Sequence, residues 1–180
     1  MKIFGIDPGS ERTGYGCIEV KGSRHILIIC GAISAPARSP FPDKLKHIHT
    51  DLVALLDRYR PDCVAVENIF HARNVRSALK LGHARGIALL AASEAGLPVV
   101  EYTPAEIKRA VVGFGRAEKH QIQQMVKLLL GLETAPSPHD AADALAVAIC
   151  HVHSATGIVA ERAAAHQSRT GLRSWRDYRP

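Results

Sequence analysis

The chain has 180 residues, a formal net charge of +6 at pH 7 and four cysteines scattered singly along it. A chain of this length can bury a substantial apolar core, which predicts one globular domain, and a charged content of only 22% argues against a solvating polyelectrolyte. The lack of a membrane-length apolar run and of paired cysteines predicts a cytoplasmic protein without membrane contact, and the basic charge favours nucleic acid as its partner.

The first third of the chain alternates short apolar segments with turn residues, a pattern typical of a β-sheet. Residues 3–7, 14–20 and 24–34 are rich in Ile and Val and predict a three-stranded meander. Apolar residues then recur at helical spacing over 43–60. The short apolar run 63–67 is suited to a buried parallel strand, so the predicted order is three strands, a helix and a strand.

The remainder of the chain predicts mainly helices. Residues 75–95 are rich in Ala and Leu and predict a long helix, followed by a fifth strand over 99–102. The run 103–106 matches a capping box with Pro at the first helical position. A further helix is predicted over 118–130, and Ser137 is expected to cap a last helix that ends near His153.

The apolar period fades after Ser154, while five arginines occur in the last 27 residues. This segment carries +3 of the net charge, so half of the basic excess is concentrated there. We therefore predict a folded domain over residues 1–153 and a basic, loosely ordered C-terminal tail over 154–180.

Four acidic residues stand where apolar segments meet turns or helix starts. Asp7 and Glu67 end two predicted strands, whereas Asp140 and Asp143 lie three residues apart on one face of the last helix. If that helix packs across neighbouring strands, the four carboxylates meet. Magnesium prefers such oxygen ligands, and two ions roughly 4 Å apart can activate water for phosphodiester hydrolysis. A carboxylate cluster on a basic protein thus indicates a metal-dependent nuclease.

Helix capping is the alternative explanation for one of these acids. Residues 137–140 resemble a capping box, which would account for Asp140 without any metal. Asp143 lies a turn further on, among alanines and Leu145, where a charge should destabilise the helix packing unless it has a function.

Five ordered blocks of the sequence stand out as motifs. They are DPGS with TGYG (7–10 and 13–16), ENIF (67–70), LKLGHARG (79–86), VVG with AEK (111–113 and 117–119) and DAADALA (140–146). Together they resemble the RuvC family of bacterial Holliday-junction resolvases. The similarity runs from residue 1 to about residue 153, and a single block such as DPGS would be weak evidence.

The resemblance implies an RNase H-like α/β fold, a five-stranded mixed sheet flanked by helices on both faces. It also implies a homodimer that resolves four-way DNA junctions in homologous recombination and repair by paired symmetric nicks, using water activated by a divalent metal. Mapped by motif, Mg²⁺ would be bound by Asp7, Glu67, Asp140 and Asp143, which are also the expected catalytic residues. Two ions per site, with Mn²⁺ as a substitute, are implied, as are the partner proteins RuvA and RuvB.

Basic and aromatic residues near these motifs are candidate DNA contacts. An aromatic just past a strand is either core or a wedge that stacks on an unpaired base, and the resemblance favours the wedge. A basic run is usually a solvated helix face, but beside the acids it is better placed for phosphate contact. The predicted DNA-binding residues are Phe70, Arg73, Arg76, Lys80, Lys108 and Lys119.

Three features leave alternatives open. The loop Gly113-Phe114-Gly115 either approaches DNA closely or simply joins two helices. His139 is either a general base, as its closeness in sequence to Asp140 suggests, or a solvent-facing residue in the first helical turn, which is the favoured alternative. The run GIDPGS (5–10) also resembles the first phosphate-binding turn of actin-like ATPases, which need a second phosphate loop that this sequence lacks. A noncatalytic junction-binding module would have lost a carboxylate, and none is lost.

Overall fold

The computed structural model describes residues 1–68 and 74–170, with side chains up to Ala155. Five β-strands form one mixed sheet in the spatial order β3-β2-β1-β4-β5. The first three strands are antiparallel neighbours, whereas β4 pairs in parallel with both β1 and β5. The predicted meander and the two later strands are confirmed. The strands are β1 (Lys2–Asp7), β2 (Arg12–Lys21), β3 (Arg24–Ser34), β4 (Cys63–Glu67) and β5 (Val99–Tyr102).

Helices cover both faces of the sheet. They are α1 (Phe41–Tyr59), α2 (Val75–Glu94), α3 (Pro104–Val112), α4 (Lys119–Leu129) and α5 (His139–Thr170). The pair α1 and α2 packs on one face, and α5 lies across the other face with α3 and α4 against it. The predicted architecture, a five-stranded mixed sheet flanked on both faces by helices, is confirmed. Among the helices of the described residues, none combines the length and apolar character needed to cross a membrane.

The pleat of the two central strands decides which side chains face α5. Phe4 and Ile6 of β1 are fully buried in the core beneath α1 and α2. Ile3 lies in the opposite core, beneath α5. Because side chains alternate between faces along a strand, Asp7 is directed to the α5 face, and Glu67 follows by the same alternation from Ala65. Their strands run in parallel, so both carboxylates lie at one edge of the sheet.

Glycines in the β1–β2 hairpin let the backbone of α5 lie directly on the sheet. A Cβ atom on Gly5 would lie 2.1 Å from the carbonyl oxygen of Ala144. A Cβ atom on Gly14 would lie 2.0 Å from the carbonyl oxygen of Asp140. No side chain fits at such distances, so hairpin and helix are in backbone contact. This contact places the first turns of α5 beside the end of β1.

The helix ends agree with the sequence signals in one case and differ in another. At α3, the predicted capping box forms, since the Thr103 amide donates to Glu106 Oε2 (2.7 Å) and the Glu106 amide donates to Thr103 Oγ1 (3.3 Å). The predicted end of the last helix near His153 is wrong, because α5 continues to Thr170. Residues 159–165 are rich in Ala, whose high helix propensity does not require an apolar period. The last ten residues of the predicted tail, 171–180, lie outside the described residues.

The hairpin contact can be tested by adding one methyl group. We expect Gly5→Ala to lower the free energy of unfolding by roughly 3 kcal/mol, because the new Cβ overlaps the backbone of α5. Urea denaturation followed by circular dichroism measures the change.

Gly115→Ala is the matched control. Its Cβ would lie 3.8 Å from the nearest atom, the carbonyl oxygen of Ala105, so its stability should stay within about 1 kcal/mol of the wild type. A Gly5→Ala protein as stable as this control would show that the two backbones do not touch.

Candidate active site

A cavity of about 270 Å³ opens where β1, β4 and the start of α5 meet. Three carboxylates line it: Asp7, Glu67 and Asp143. Lys108 of α3 and Lys119 of α4 line the same cavity. Apolar side chains of α3, α4 and α5 complete the wall. The cavity therefore combines a carboxylate floor with a cationic rim.

The fourth predicted carboxylate lies at the rim. Asp140 is 32% exposed, and its Oδ2 is 3.6 Å from Nη1 of Arg12 at the start of β2. The helix begins at His139, so Asp140 is its second residue and not the third position that a capping box with Ser137 requires. Among the described residues no hydrogen bond joins Ser137 to Asp140, so the capping box does not form, although Asp140 does lie in the first helical turn, where an acid is favoured. Arg12 is a partner that sequence reasoning missed.

Burial is the largest influence on the pKa values of the two strand carboxylates. Burial raises the pKa of Asp7 from 3.8 to about 9, with further increases from the charge of Glu67, a hydrogen bond to Glu67 and the charges of Asp143 and Asp140. Burial also raises the pKa of Glu67, although its hydrogen bond to Asp7 and the nearby lysines oppose the shift. At neutral pH the two groups therefore share a proton unless a cation takes its place.

Lys119 neutralises the helix carboxylate. Its Nζ atom is 3.2 Å from Oδ2 of Asp143, whose side chain is 18% exposed. The charge of Asp143 raises the pKa of Lys119, and the hydrogen bond adds to this effect. Because Lys119 itself is 77% exposed, the pair contributes little to folding, and the ammonium is free to move to another anion.

The donor chemistry of the cavity fits a hard divalent cation. Among the described residues, no group of three His, Cys, Asp or Glu side chains is arranged to hold an ion. The carboxylates are instead paired with other groups, since Asp7 bonds with Glu67 and Asp143 bonds with Lys119. A proton shared by Asp7 and Glu67 and the ammonium of Lys119 both supply positive charge to the carboxylates. A divalent cation can take the place of either. Carboxylates are the ligands that Mg²⁺ prefers, so the residues fit the ion and Asp7, Glu67 and Asp143 would hold it.

A polar network on the opposite face of the sheet fixes the end of β4. The Asn68 amide donates to the carbonyl oxygen of Tyr102 (2.7 Å), and Asn68 Nδ2 donates to Glu101 Oε2 (3.4 Å). Arg85 of α2 donates to the other oxygen of Glu101. Glu67 is thus held by the residue that follows it. Sequence reasoning missed this network, because its members are distant in sequence and Glu101 and Tyr102 belong to no recognised block.

The turn that follows Asp7 is tied down in a similar way. Thr13 is fully buried, and its hydroxyl donates to the carbonyl oxygen of Gly9 (2.9 Å). Lys44 of α1, which is also buried, forms an ion pair with Glu11. These contacts attach the β1–β2 turn to α1. The partners are 33 residues apart, and no sequence motif connects them.

The other candidate residues that the structure describes do not line this cavity. Arg76 is exposed in the first turns of α2. Lys80 lies over the ring of Phe41, with 5.5 Å between its Nζ atom and the ring centroid. His139 is exposed and bonds with Gln123, in agreement with the solvent-facing position expected for it. Two predicted DNA contacts, Phe70 and Arg73, lie outside the described residues.

Comparison with known proteins gives a consistent result. The family model described as crossover junction endodeoxyribonuclease RuvC matches residues 3–151. A RuvC of that description from Heliobacterium modesticaldum is 56% identical over 162 residues, which cover 90% of this chain and 100% of the relative. The structure of Thermus thermophilus RuvC is 38% identical with a TM-score of 0.80, covering 87% of this chain and 96% of that one. T. thermophilus RuvC in complex with a Holliday junction substrate is 40% identical with a TM-score of 0.82, covering 86% of this chain and 94% of that one.

The raised pKa of Asp7 predicts a pH-dependent stability in metal-free buffer. The protonated form stabilises the fold, so its contribution is complete below about pH 4 and is lost as the pH rises through about 9. The amide that replaces the carboxyl group in Asp7→Asn cannot ionise. We therefore expect Asp7→Asn to gain stability relative to the wild type between about pH 5 and pH 9, by up to ~1.4 kcal/mol per pH unit.

Urea denaturation in the presence of EDTA at several pH values measures this difference. Added Mg²⁺ should stabilise the wild type at the upper end of the range and leave Asp7→Asn unchanged. Parallel stability curves for the two proteins would contradict the assignment of a buried, proton-sharing carboxylate.

Proposed function

The chain belongs to the RuvC family of crossover junction endodeoxyribonucleases, and from this we propose that it resolves four-way DNA junctions in recombination and repair. The observation that carries the proposal is the cavity in which Asp7, Glu67 and Asp143 meet beneath Lys108 and Lys119. A carboxylate floor suits a divalent cation, and a cationic rim suits the phosphate backbone. The likeness to a RuvC solved with a Holliday junction supports the same substrate. The product is two symmetric nicks.

Divalent metal dependence follows from the donor set. We propose that Mg²⁺, or Mn²⁺ in its place, is held by Asp7, Glu67 and Asp143, with Asp140 at the rim completing a site for two ions. When bound, such ions lower the pKa of water and neutralise charge on the phosphate that is cut.

The protein's own residues stabilise the carboxylates before a cation binds, through a shared proton and the ammonium group of a lysine. Asp7 and Glu67 share a proton that stabilises them while they lack a cation. In the absence of a cation, Lys119 also forms an ion pair with Asp143. It is sufficiently exposed to turn toward an incoming phosphate. Lys108 adds a second ammonium on the α3 side. Together the two lysines would offset the charge that develops on the phosphate during cleavage. No protein general base is required, and His139 is already paired with Gln123.

Further DNA contacts extend from this centre. Arg76 and Lys80 lie on α2, which begins eight residues after β4 ends, and they are proposed to bind phosphates. Phe70 and Arg73 are proposed from the family resemblance, as a base-stacking wedge and a phosphate contact.

An exposed stripe on α2 supports a homodimer. Val75, Leu79 and Leu90 are 76%, 60% and 47% exposed, and their spacing places them along one side of the helix. Gly82 and Gly86 lie on the same side, and a Cβ on either would meet no atom within 4 Å. A flat apolar stripe of this kind allows another helix to approach closely. The dimer would present two active sites to one junction. RuvA and RuvB are proposed as partners from the family resemblance.

Cleavage of a synthetic four-way junction tests the proposed activity. We expect paired symmetric nicks with Mg²⁺ or Mn²⁺ and none with EDTA. Asp7→Asn and Glu67→Gln should each slow cutting at least roughly a hundredfold, because the metal supplies several kcal/mol of charge stabilisation. Their junction affinity should stay within about threefold of the wild type, since neither variant removes a positive charge.

The matched control is Asp57→Asn, which removes an exposed carboxylate at the end of α1. This variant should cut at the wild-type rate. If Asp7→Asn cuts as fast as Asp57→Asn, the catalytic assignment is wrong.

The proposed dimer is tested by a charge on the α2 stripe. Leu79→Lys should reduce the mass measured by sedimentation equilibrium to the 19.5 kDa of a single chain, because burying an unpaired ammonium in the interface is unfavourable. Leu128→Lys, at a 70% exposed position on α4, is the control and should leave the mass unchanged. A Leu79→Lys protein that stays dimeric would exclude this surface as the interface.

A further inference from the structure

The loop between α3 and α4 presents an aromatic side chain to solvent. Phe114 is 48% exposed, and the residues on both sides of it, Gly113 to Arg116, are also exposed. The loop is anchored at both ends. Gly113 ends α3 in the left-handed conformation (φ 90°) with its amide bonded to the carbonyl oxygen of Arg109 (2.9 Å), and Ala117 is buried in the core beneath α5. Phe114 is therefore exposed on a short loop that is fixed at both ends.

This loop lies beside the catalytic cavity. It joins the helix that contributes Lys108 to the helix that contributes Lys119. Its Gly115 packs near the start of α3, since a Cβ there would be 3.8 Å from the carbonyl oxygen of Ala105. Pro104, the neighbour of Ala105, lines the cavity. Phe114 is thus within a few residues of the cavity wall on both sides.

The charges around Phe114 favour an anionic partner over an apolar protein surface. The segment from Lys108 to Lys119, counted with both ends, contains four basic residues and one acid, Glu118. Protein interface cores are depleted in lysine, whereas aromatic rings among Lys and Arg are typical of surfaces that bind single strands or strand ends. The ring offers a stacking face, and the surrounding cations attract phosphates.

We propose that Phe114 stacks on a nucleobase at the branch point of the bound junction. This rests on the proposed function, which places branched DNA over the cavity. At a four-way branch the arms end in base pairs whose outer faces have lost a stacking neighbour, so a ring can cover such a face without breaking a pair. In continuous duplex DNA every base face is already covered. Phe114 therefore contributes to preference for branched DNA, in addition to any contact made by Phe70.

Binding of a fluorescently labelled junction in EDTA, where no cutting occurs, tests the proposal. Phe114→Ala should weaken junction binding about fivefold or more, the lower end of what one stacked base contributes, and should leave binding of a matched duplex unchanged. Phe114→Trp should keep the wild-type affinity. Phe114→Leu distinguishes stacking from simple apolar contact, because it keeps the bulk and loses the ring, and it should behave as Phe114→Ala.

Salt dependence separates stacking from phosphate binding. Phe114→Ala should leave the slope of log affinity against log salt unchanged, whereas Arg116→Gln should reduce it by about one charge. Leu128→Ala, which removes an exposed apolar side chain on α4, is the control and should bind like the wild type.

Three results would overturn the proposal. They are unchanged junction affinity in Phe114→Ala, an equal loss on duplex and junction, or a change in oligomeric mass in place of a change in DNA binding. A wild-type protein that fails to cut the junction with metal would instead refute the proposed function, and the binding comparison would still be readable.

Discussion

The contact between the backbone of α5 and the β1–β2 hairpin is the constraint on which the site depends. Gly5 and Gly14 leave no room for a side chain between sheet and helix. A larger residue would lift α5 away from the sheet and carry Asp143 away from Asp7. Two carboxylates on strands and one on a helix share a cavity because these elements touch without intervening side chains. The glycines and the carboxylates thus form one structural unit, although they belong to different sequence motifs.

The close approach of Asp7 and Glu67 lowers the stability of the metal-free fold and serves the function of the site. Asp7 and Glu67 are held close together at a partly buried edge, where burial raises both pKa values and the charge of Glu67 raises that of Asp7 further. Outside a functional site, such a pair would be replaced by apolar residues or by an ion pair. Here the contacts around them keep the geometry fixed. Thr13 and Lys44 hold the turn after Asp7, and the network from Asn68 through Glu101 holds the residue after Glu67.

Much of the fold could be predicted from local patterns. The β3, β4 and β5 bounds follow directly from apolar runs between turn residues, and the capping box at Thr103 marks the start of α3. The positions of Asp7 and Glu67 at strand ends and the spacing of Asp140 and Asp143 predicted that four acids meet, and the cavity brings together three of them, Asp7, Glu67 and Asp143. The sequence could not show that Asp140 pairs with Arg12, because this contact depends on the position of α5 along the β1–β2 hairpin in the folded protein. The end of α5 was misjudged since loss of apolar periodicity is not a helix stop signal when alanine continues.

The central claim is that Asp7, Glu67 and Asp143 bind a divalent cation in exchange for a proton. Isothermal titration calorimetry with Mg²⁺ at neutral pH, repeated in buffers of different ionisation enthalpy, measures binding and proton release together. The account predicts release of about one proton per chain, because the pKa of Asp7 lies near 9 before the cation binds. Binding without proton release, or no binding by the wild-type protein, would contradict it.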